Sequence, residues 1–203
     1  FSKNEILRRD LCEIFPNASF VPQDVRLSKN KFIDFIQNAD AVILSLDPIN
    51  EEVLSACPRL KIVSKFGVGL DNIDQEACQR YNVALGWTGG VNRRSVAELA
   101  LFFMIGLCRN AFQTALLMRK GVWEKDGGVQ LSGRTIGLIG VGNIGKEVAD
   151  LLAPLHCKIL VNDVIDQSKY YQKHGLIEAS KEDIYAESEI ISLHVPLTSQ
   201  THH

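Results

Sequence analysis

The chain has 203 residues, of which 46% are hydrophobic and 23% charged, and a formal net charge of −2. That composition suits an ordinary globular protein with one good core or two small ones, and so weak a negative charge offers nothing to nucleic acid or an anionic membrane. No apolar run approaches the ~20 residues of a bilayer-spanning helix; the most apolar stretch, Val96 to Cys108, is shorter and carries Glu98.

In chain order, Ser2 or Asn4 can cap a first helix whose Ile6, Leu7, Leu11 and Ile14 share one face. Ala18 to Val21 reads as a short strand, and Lys31 to Gln37 as a helix carrying Phe32, Phe35 and Ile36. Ala41 to Leu44 is an unbroken apolar run, the mark of a buried strand. Asn50 caps a short helix over Val53 and Leu54, Lys61 to Ser64 is the next strand, Asp74 caps another short helix, and Val83 to Leu85 is strand again. From Ser95 to Arg119 the pattern predicts one long helix with two apolar stripes, Val96, Leu99, Ala100, Phe103 and Leu107 on one and Leu101, Phe102, Ile105 and Cys108 on another. Such a helix needs cover on both sides; pattern alone leaves open whether that is another domain, a second subunit or one compact core. Gly121 to Gly128 is a loop.

Thr135 to Ile139 then reads as a buried strand running into Gly140-Val141-Gly142-Asn143-Ile144-Gly145 and a helix from Lys146 to Leu155. The G-x-G-x-x-G spacing gives a tight turn, then a bare backbone that a pyrophosphate can approach, then close packing of helix on strand. The helix offers its amides and positive dipole end to the phosphates. Lys158 to Asn162 is the next strand and ends in Asp163, about 20 residues past Gly140, where a ribose-binding carboxylate belongs. That acid would repel a 2′-phosphate, and Val164 and Ile165 supply no arginine to hold one, so NAD is favoured over NADP. A helix follows at Gln167 to Lys173, a short strand near Leu176 and Ile177, an approximate capping box at Ser180 to Asp183, and a strand at Glu189 to Leu193 stopped by His194-Val195-Pro196. Strands alternating with helices at this pitch predict an α/β protein of doubly wound parallel sheets. The five cysteines are widely spaced in apolar contexts, which points to reduced thiols in a cytoplasmic protein and to no metal cluster. The chain opens on Phe1 and closes at Thr201-His202-His203 just past a strand signal, so both edges are expected to be cuts, and the His pair, native or tag-derived, receives no chemistry.

Four segments in this order carry a family resemblance: Lys65 to Asp74 (KFGVGLDNID), Ser95 to Leu99 (SVAEL), the Gly140 to Gly145 turn, and His194 to Thr198 (HVPLT). Together they resemble the NAD-dependent D-isomer-specific 2-hydroxyacid dehydrogenases, phosphoglycerate dehydrogenase-like members among them. The resemblance implies two doubly wound domains with the active site between them, both incomplete in this chain. Residues 1–92 would belong to a flavodoxin-like substrate domain, and residues 93–203 to a Rossmann NAD domain entered through the long helix over 95–119. It implies cofactor contacts at Thr88, Gly140, Gly142, Asn143, Ile144, Gly145, Asp163, His194, Val195 and Pro196, with NAD as cofactor. Asn143 stands where relatives often carry arginine, which removes one charge from the phosphates. Val68 and Gly69 would donate backbone amides to a substrate carboxylate, as an anion-binding nest does, with Lys65 adding a cation at the mouth; without the resemblance Lys65 reads as a solvated surface lysine. Gly86-Trp87-Thr88-Gly89-Gly90 departs from the more usual Asn-Thr-Pro pattern.

The catalytic arginine, glutamate and histidine that the resemblance implies follow the HVPLT segment and are expected beyond His203. No catalytic residue is therefore assigned, and Arg93, Arg94, Arg109, His156 and His174 match none of those motifs. The implied activity is hydride transfer between NAD(H) and a small anionic 2-hydroxy or 2-keto acid, with the 203-residue piece itself expected to be inactive. Two other readings stand beside it: a non-catalytic NAD-sensing scaffold, corepressor-like on the same fold, and another Rossmann enzyme that uses NAD transiently. The resemblance and the two-sided helix together imply a homodimer.

Overall fold

The computed structural model describes residues 3–22, 25–125 and 127–202. Ser2, the alternative first cap, lies outside the described residues. The chain divides into two compact units, Phe1–Gly89 and Gly90–His203.

The first unit holds α1 (Glu5–Ile14), α2 (Lys29–Ile36), β1 (Ala41–Leu44), α3 (Glu51–Ala56), β2 (Ile62–Lys65), α4 (Gln75–Arg80) and β3 (Ala84–Gly86). Its helices start where short polar side chains can take an unpaired amide. Asn4 accepts from Leu7 N (3.1 Å), Asn50 from Val53 N (3.1 Å) and Asp74 from Ala77 N (2.8 Å). The strands form a parallel sheet in the order β1-β2-β3, with Ala41 opposite Ile62 and Ile62 opposite Ala84. Phe32 and Ile36 of α2, Val53 and Leu54 of α3, and Ala77 and Cys78 of α4 bury with Leu44, Val63 and Val83 in one core. Each of the larger aliphatic side chains there contributes about 1.5–3 kcal/mol by leaving water.

Ala18 to Val21 forms no strand. Ala18 N–H closes a turn onto Phe15 O (3.0 Å), and proline stands on either side at positions 16 and 22. Proline donates no ladder bond, and the segment is held from the side by the Arg8 guanidinium, 4.5 Å above the Phe20 ring.

The second unit holds α5 (Arg93–Cys108), α6 (Ala111–Arg119), β4 (Thr135–Ile139), α7 (Asn143–Leu152), a 3-10 turn at Ala153–Leu155, β5 (Lys158–Asn162), α8 (Ser168–His174), β6 (Ile177–Glu178), α9 (Lys181–Glu187) and β7 (Ile190–Leu193). All four strands are parallel, in the order β6-β5-β4-β7. The order reverses at β4, the topological switch point where such sheets bind ligands. Alternate residues of a strand face opposite sides. Ile136, Leu138, Ile159 and Val161 bury against Val148, Ala149 and Leu152 of α7 and Ala97 and Met104 of α5, whereas Ile139 and Leu160 bury against Ile184 of α9. Helices thus cover both faces, the doubly wound arrangement. Gly137 has no side chain because a Cβ there would lie 2.5 Å from Ile184 Cγ2 and 2.6 Å from Ser188 Oγ.

The helix expected over Ser95 to Arg119 is two helices. α5 ends at Cys108, Asn110 takes a left-handed conformation (φ 52°), and α6 leaves bent by 72°. Asparagine is one of the few residues that visits this region without large penalty. The bend returns the Phe112 ring onto Gly106, into the space a Cβ would fill, and packs it at 5.5 Å from Phe102 and 5.8 Å from Phe103. No single helix among the described residues is long and apolar enough to cross a membrane. α7 begins at Asn143, three residues before the expected Lys146, because Gly142 serves as its N-cap.

Candidate functional site

The ends of β4, β5 and β7 are stitched together by backbone bonds. Gly140 N–H donates to Asn162 O (2.8 Å) and His194 N–H to Ile139 O (2.8 Å). Gly140 sits at φ +93°, and a Cβ on it would lie 2.6 Å from His194 O and 3.0 Å from Val195 Cγ1. The glycine turn and the His194–Val195 segment are therefore in contact. Gly145 is fixed by the opposite wall: a Cβ there would drive into Gly140 O, so only glycine lets α7 start this close to the turn. Gly142 differs from both, since nothing lies within 4 Å of its Cβ position. Beside that open ground, Asn143, Ile144 and Gly145 occupy the first turn of α7, whose amides have no carbonyl four residues back to bond to. Free amides, a positive dipole end and an uncrowded backbone fit a pyrophosphate.

Asp163 holds this turn as well as facing it. Its Oδ2 accepts from Val141 N (2.6 Å) and its Oδ1 from Ile165 N (3.0 Å). Gln167 completes the grip by donating from Nε2 to Val141 O (3.1 Å), so both polar groups of Val141 are taken by side chains from beyond β5. Gln167 was not legible as a site residue, because its partner lies 26 positions earlier. Each Asp163 oxygen keeps a lone pair for a ribose hydroxyl. Val164 is 96% exposed and Ile165 67%, and neither brings a cation to the place a 2′-phosphate would need. Asn143 turns its amide against Gly90, where a Cβ would lie 2.7 Å from Nδ2.

His194 Nε2 lies 3.0 Å from Ser192 Oγ, and burial holds its imidazole below the ordinary histidine value, which favours the neutral ring. Val195 and Pro196 follow on the exposed side of the same segment. Arg93 and Arg94 each reach Glu147 at 3.2 Å, and Arg94 also reaches Glu98 at 2.7 Å. No group of three or more metal-ligating side chains occurs among the described residues, and all five cysteines are free thiols.

In the first unit, Gly67 takes φ +143° two positions past the end of β2 and carries the chain into Val68 and Gly69. Val68 is half-buried and its carbonyl accepts from Trp87 Nε1 (3.0 Å); Asp71 Oδ1 lies 2.8 Å from the Cβ position of Gly69. Lys65 is tied into the loops: its Nζ donates to Ser45 O and to Asn72 Oδ1 (2.6 Å), while Asn72 Nδ2 donates to Asp47 O (2.6 Å). Thr88 is exposed in the loop after β3.

Comparison with known proteins gives this geometry a family. Residues 101–203 match the model of the D-isomer specific 2-hydroxyacid dehydrogenase NAD-binding domain. The hydroxypyruvate reductase of Thermotoga maritima is 34% identical over 180 residues, 87% of this chain and 58% of that one. The NAD-bound 3-phosphoglycerate dehydrogenase of Entamoeba histolytica superposes with a TM-score of 0.77 at 32% identity, over 98% of this chain and 61% of that one. D-lactate dehydrogenase of Aquifex aeolicus, solved with NAD and lactic acid, superposes at 0.82 and 26% identity over 100% and 61%. The chain thus spans little more than half the length of the relatives it matches. It belongs to the D-isomer specific 2-hydroxyacid dehydrogenases, and its cofactor is NAD.

Proposed function

We propose that the full-length protein transfers a hydride between NAD(H) and a small 2-hydroxy or 2-keto acid. The observation that carries this is the Val141 clamp. A glycine turn with open ground at Gly142 is held from both sides by Asp163 and Gln167, at the switch point of a parallel sheet. Gly140, Gly142, Asn143, Ile144 and Gly145 would seat the diphosphate, Asp163 the ribose, and His194, Val195 and Pro196 the adenosine side. When bound, the dinucleotide supplies or accepts the hydride. Thr88 is assigned to the nicotinamide half. Val68 and Gly69 would hold the acid's carboxylate on their amides.

Lys65 keeps one ammonium hydrogen beyond its two loop bonds, so its part is to hold the loop and lend positive charge. Phosphoglycerate, hydroxypyruvate and lactate are acids named for relatives, and the loop side chains beside the carboxylate seat would discriminate among such acids. We also propose a homodimer through the α5–α6 surface, where Leu99, Phe102, Leu107 and Leu116 are each more than half exposed. The proposed setting is cytoplasmic, where five thiols stay reduced.

The test is to express the complete reading frame and follow NADH absorbance with a panel of 2-keto acids. Turnover with one or more is expected. Tight NADH binding without turnover on any acid would favour the NAD-sensing scaffold instead.

A further inference from the structure

We infer that the substrate is a 2-keto acid with an uncharged, apolar side chain, selected by the indole of Trp87. This deepens the reading above and rests on it for the reaction and for the carboxylate seat at Val68 and Gly69.

The chain segments beyond the carboxyl ends of β1, β2 and β3 lie along one edge of the first unit's sheet, the edge at which such sheets bind ligands. Leu46, 75% exposed, follows β1, and Trp87, 45% exposed, follows β3 directly. The Trp87 indole stands outside the buried core of the first unit. It is anchored at its polar end, because Nε1–H donates to Val68 O (3.0 Å), the carbonyl of the residue whose amide would hold the carboxylate. It is also given room: a Cβ on Gly89 would lie 3.1 Å from the ring, so glycine at that position lets the indole lie across the loop. The ring is thereby fixed beside the seat with much of its surface uncommitted, an apolar wall for whatever the acid carries at its next carbon.

The charges around that wall point the same way. Across residues 45–49, 65–73 and 86–89 the only cation is Lys65, against the carboxylates of Asp47 and Asp71. Lys65 already donates to Ser45 O and Asn72 Oδ1, and Asp71 reaches over Gly69. A substrate with one carboxylate needs only the amides. A second anion, such as a phosphate, would meet two acids on these loops, where the single cation Lys65 is already shared between two loop oxygens, and a poorly compensated charge is a ground for rejection. An apolar substituent gains instead from covering the indole.

The experiment compares kcat/KM in the full-length protein at saturating NADH for 4-methyl-2-oxopentanoate, glyoxylate and 3-phosphohydroxypyruvate, in wild type, Trp87→Phe and Trp87→Asn. Wild type should prefer the branched apolar acid over the phosphorylated one by at least about tenfold, the scale of discrimination available to a hydrophobic pocket. Trp87→Asn should cost the apolar acid at least about tenfold more than glyoxylate, chiefly in KM, and Trp87→Phe should keep most of the preference. Preference for the phosphorylated acid, or a Trp87→Asn loss equal across all three, overturns the inference while leaving the proposed reaction intact. NADH binding without turnover of any acid removes both.

Discussion

Alanine at Gly142 and alanine at Gly140 should have opposite consequences, although the two glycines stand one residue apart in one turn. Gly142 has φ −77°, which alanine adopts, and nothing lies within 4 Å of its Cβ position. The lost preference for glycine at an N-cap and the reduced entropy of the unfolded chain act in opposite directions, each by less than about 1 kcal/mol. Folding stability should therefore change by under about 1 kcal/mol, roughly 2–4 °C in Tm for a chain of this size. The new methyl nevertheless fills the ground a diphosphate would cross to reach the amides of α7. Losing one charge-assisted hydrogen bond costs about 1.5–3 kcal/mol, so NADH affinity should fall roughly 10- to 100-fold. Gly140→Ala instead places a Cβ 2.6 Å from His194 O at φ +93°, where left-handed strain adds about 1–3 kcal/mol and overpacking a similar amount. Tm should drop by roughly 5–15 °C whether or not NADH is present. The assay is NADH fluorescence titration beside thermal melts of both variants. Wild-type NADH affinity in a well-folded Gly142→Ala protein would refute the reasoning.

Three further outcomes follow from the same geometry. Asp163→Asn removes the charge that accepts from Val141 and Ile165 and would repel a 2′-phosphate; the ratio of NADPH to NADH affinity should rise about tenfold or more, read by parallel titrations, and an unchanged ratio would count against the ribose role. His194 is held below its ordinary value by burial, so its contribution to stability is complete above about pH 6.5 and is lost as pH falls through its depressed folded value. Denaturant midpoints should decline on acidification below about pH 6.5, more steeply in wild type than in His194→Gln; equal slopes would remove His194 as the cause. Asp74→Ala strips the cap from Ala77 N (2.8 Å) and should cost about 1 kcal/mol in urea unfolding, with Asp74→Asn recovering most of it.

What could be read from the chain was whatever depended on near neighbours. The glycine spacing, the acid at the end of the following strand, and the caps at Asn4, Asn50 and Asp74 need only a few residues of context: the turn runs from β4 into α7, Asp163 directly follows β5, and the three caps close. The Ser180–Asp183 box closes reciprocally, Ser180 taking Asp183 N at 3.0 Å, because aspartate is long enough there to reach back. The break after Cys108 was hidden. Leu107 to Ala111 contains no proline or glycine, and the left-handed turn at Asn110 depends on Phe112 finding Gly106. The strand at Ala18 to Val21 failed because prolines at positions 16 and 22 bracket a four-residue run and neither can donate a ladder bond. Lys65 was ambiguous because its partners Ser45 and Asn72 sit on other loops, and the bond from Trp87 to Val68 likewise joins two loops that the sequence does not pair.

Isothermal titration of NAD and NADP into the protein tests the central claim most directly. Saturable heat with NAD, and binding of NADP weaker by about tenfold or more, is the predicted result. No heat with NAD, or a preference for NADP, would contradict it.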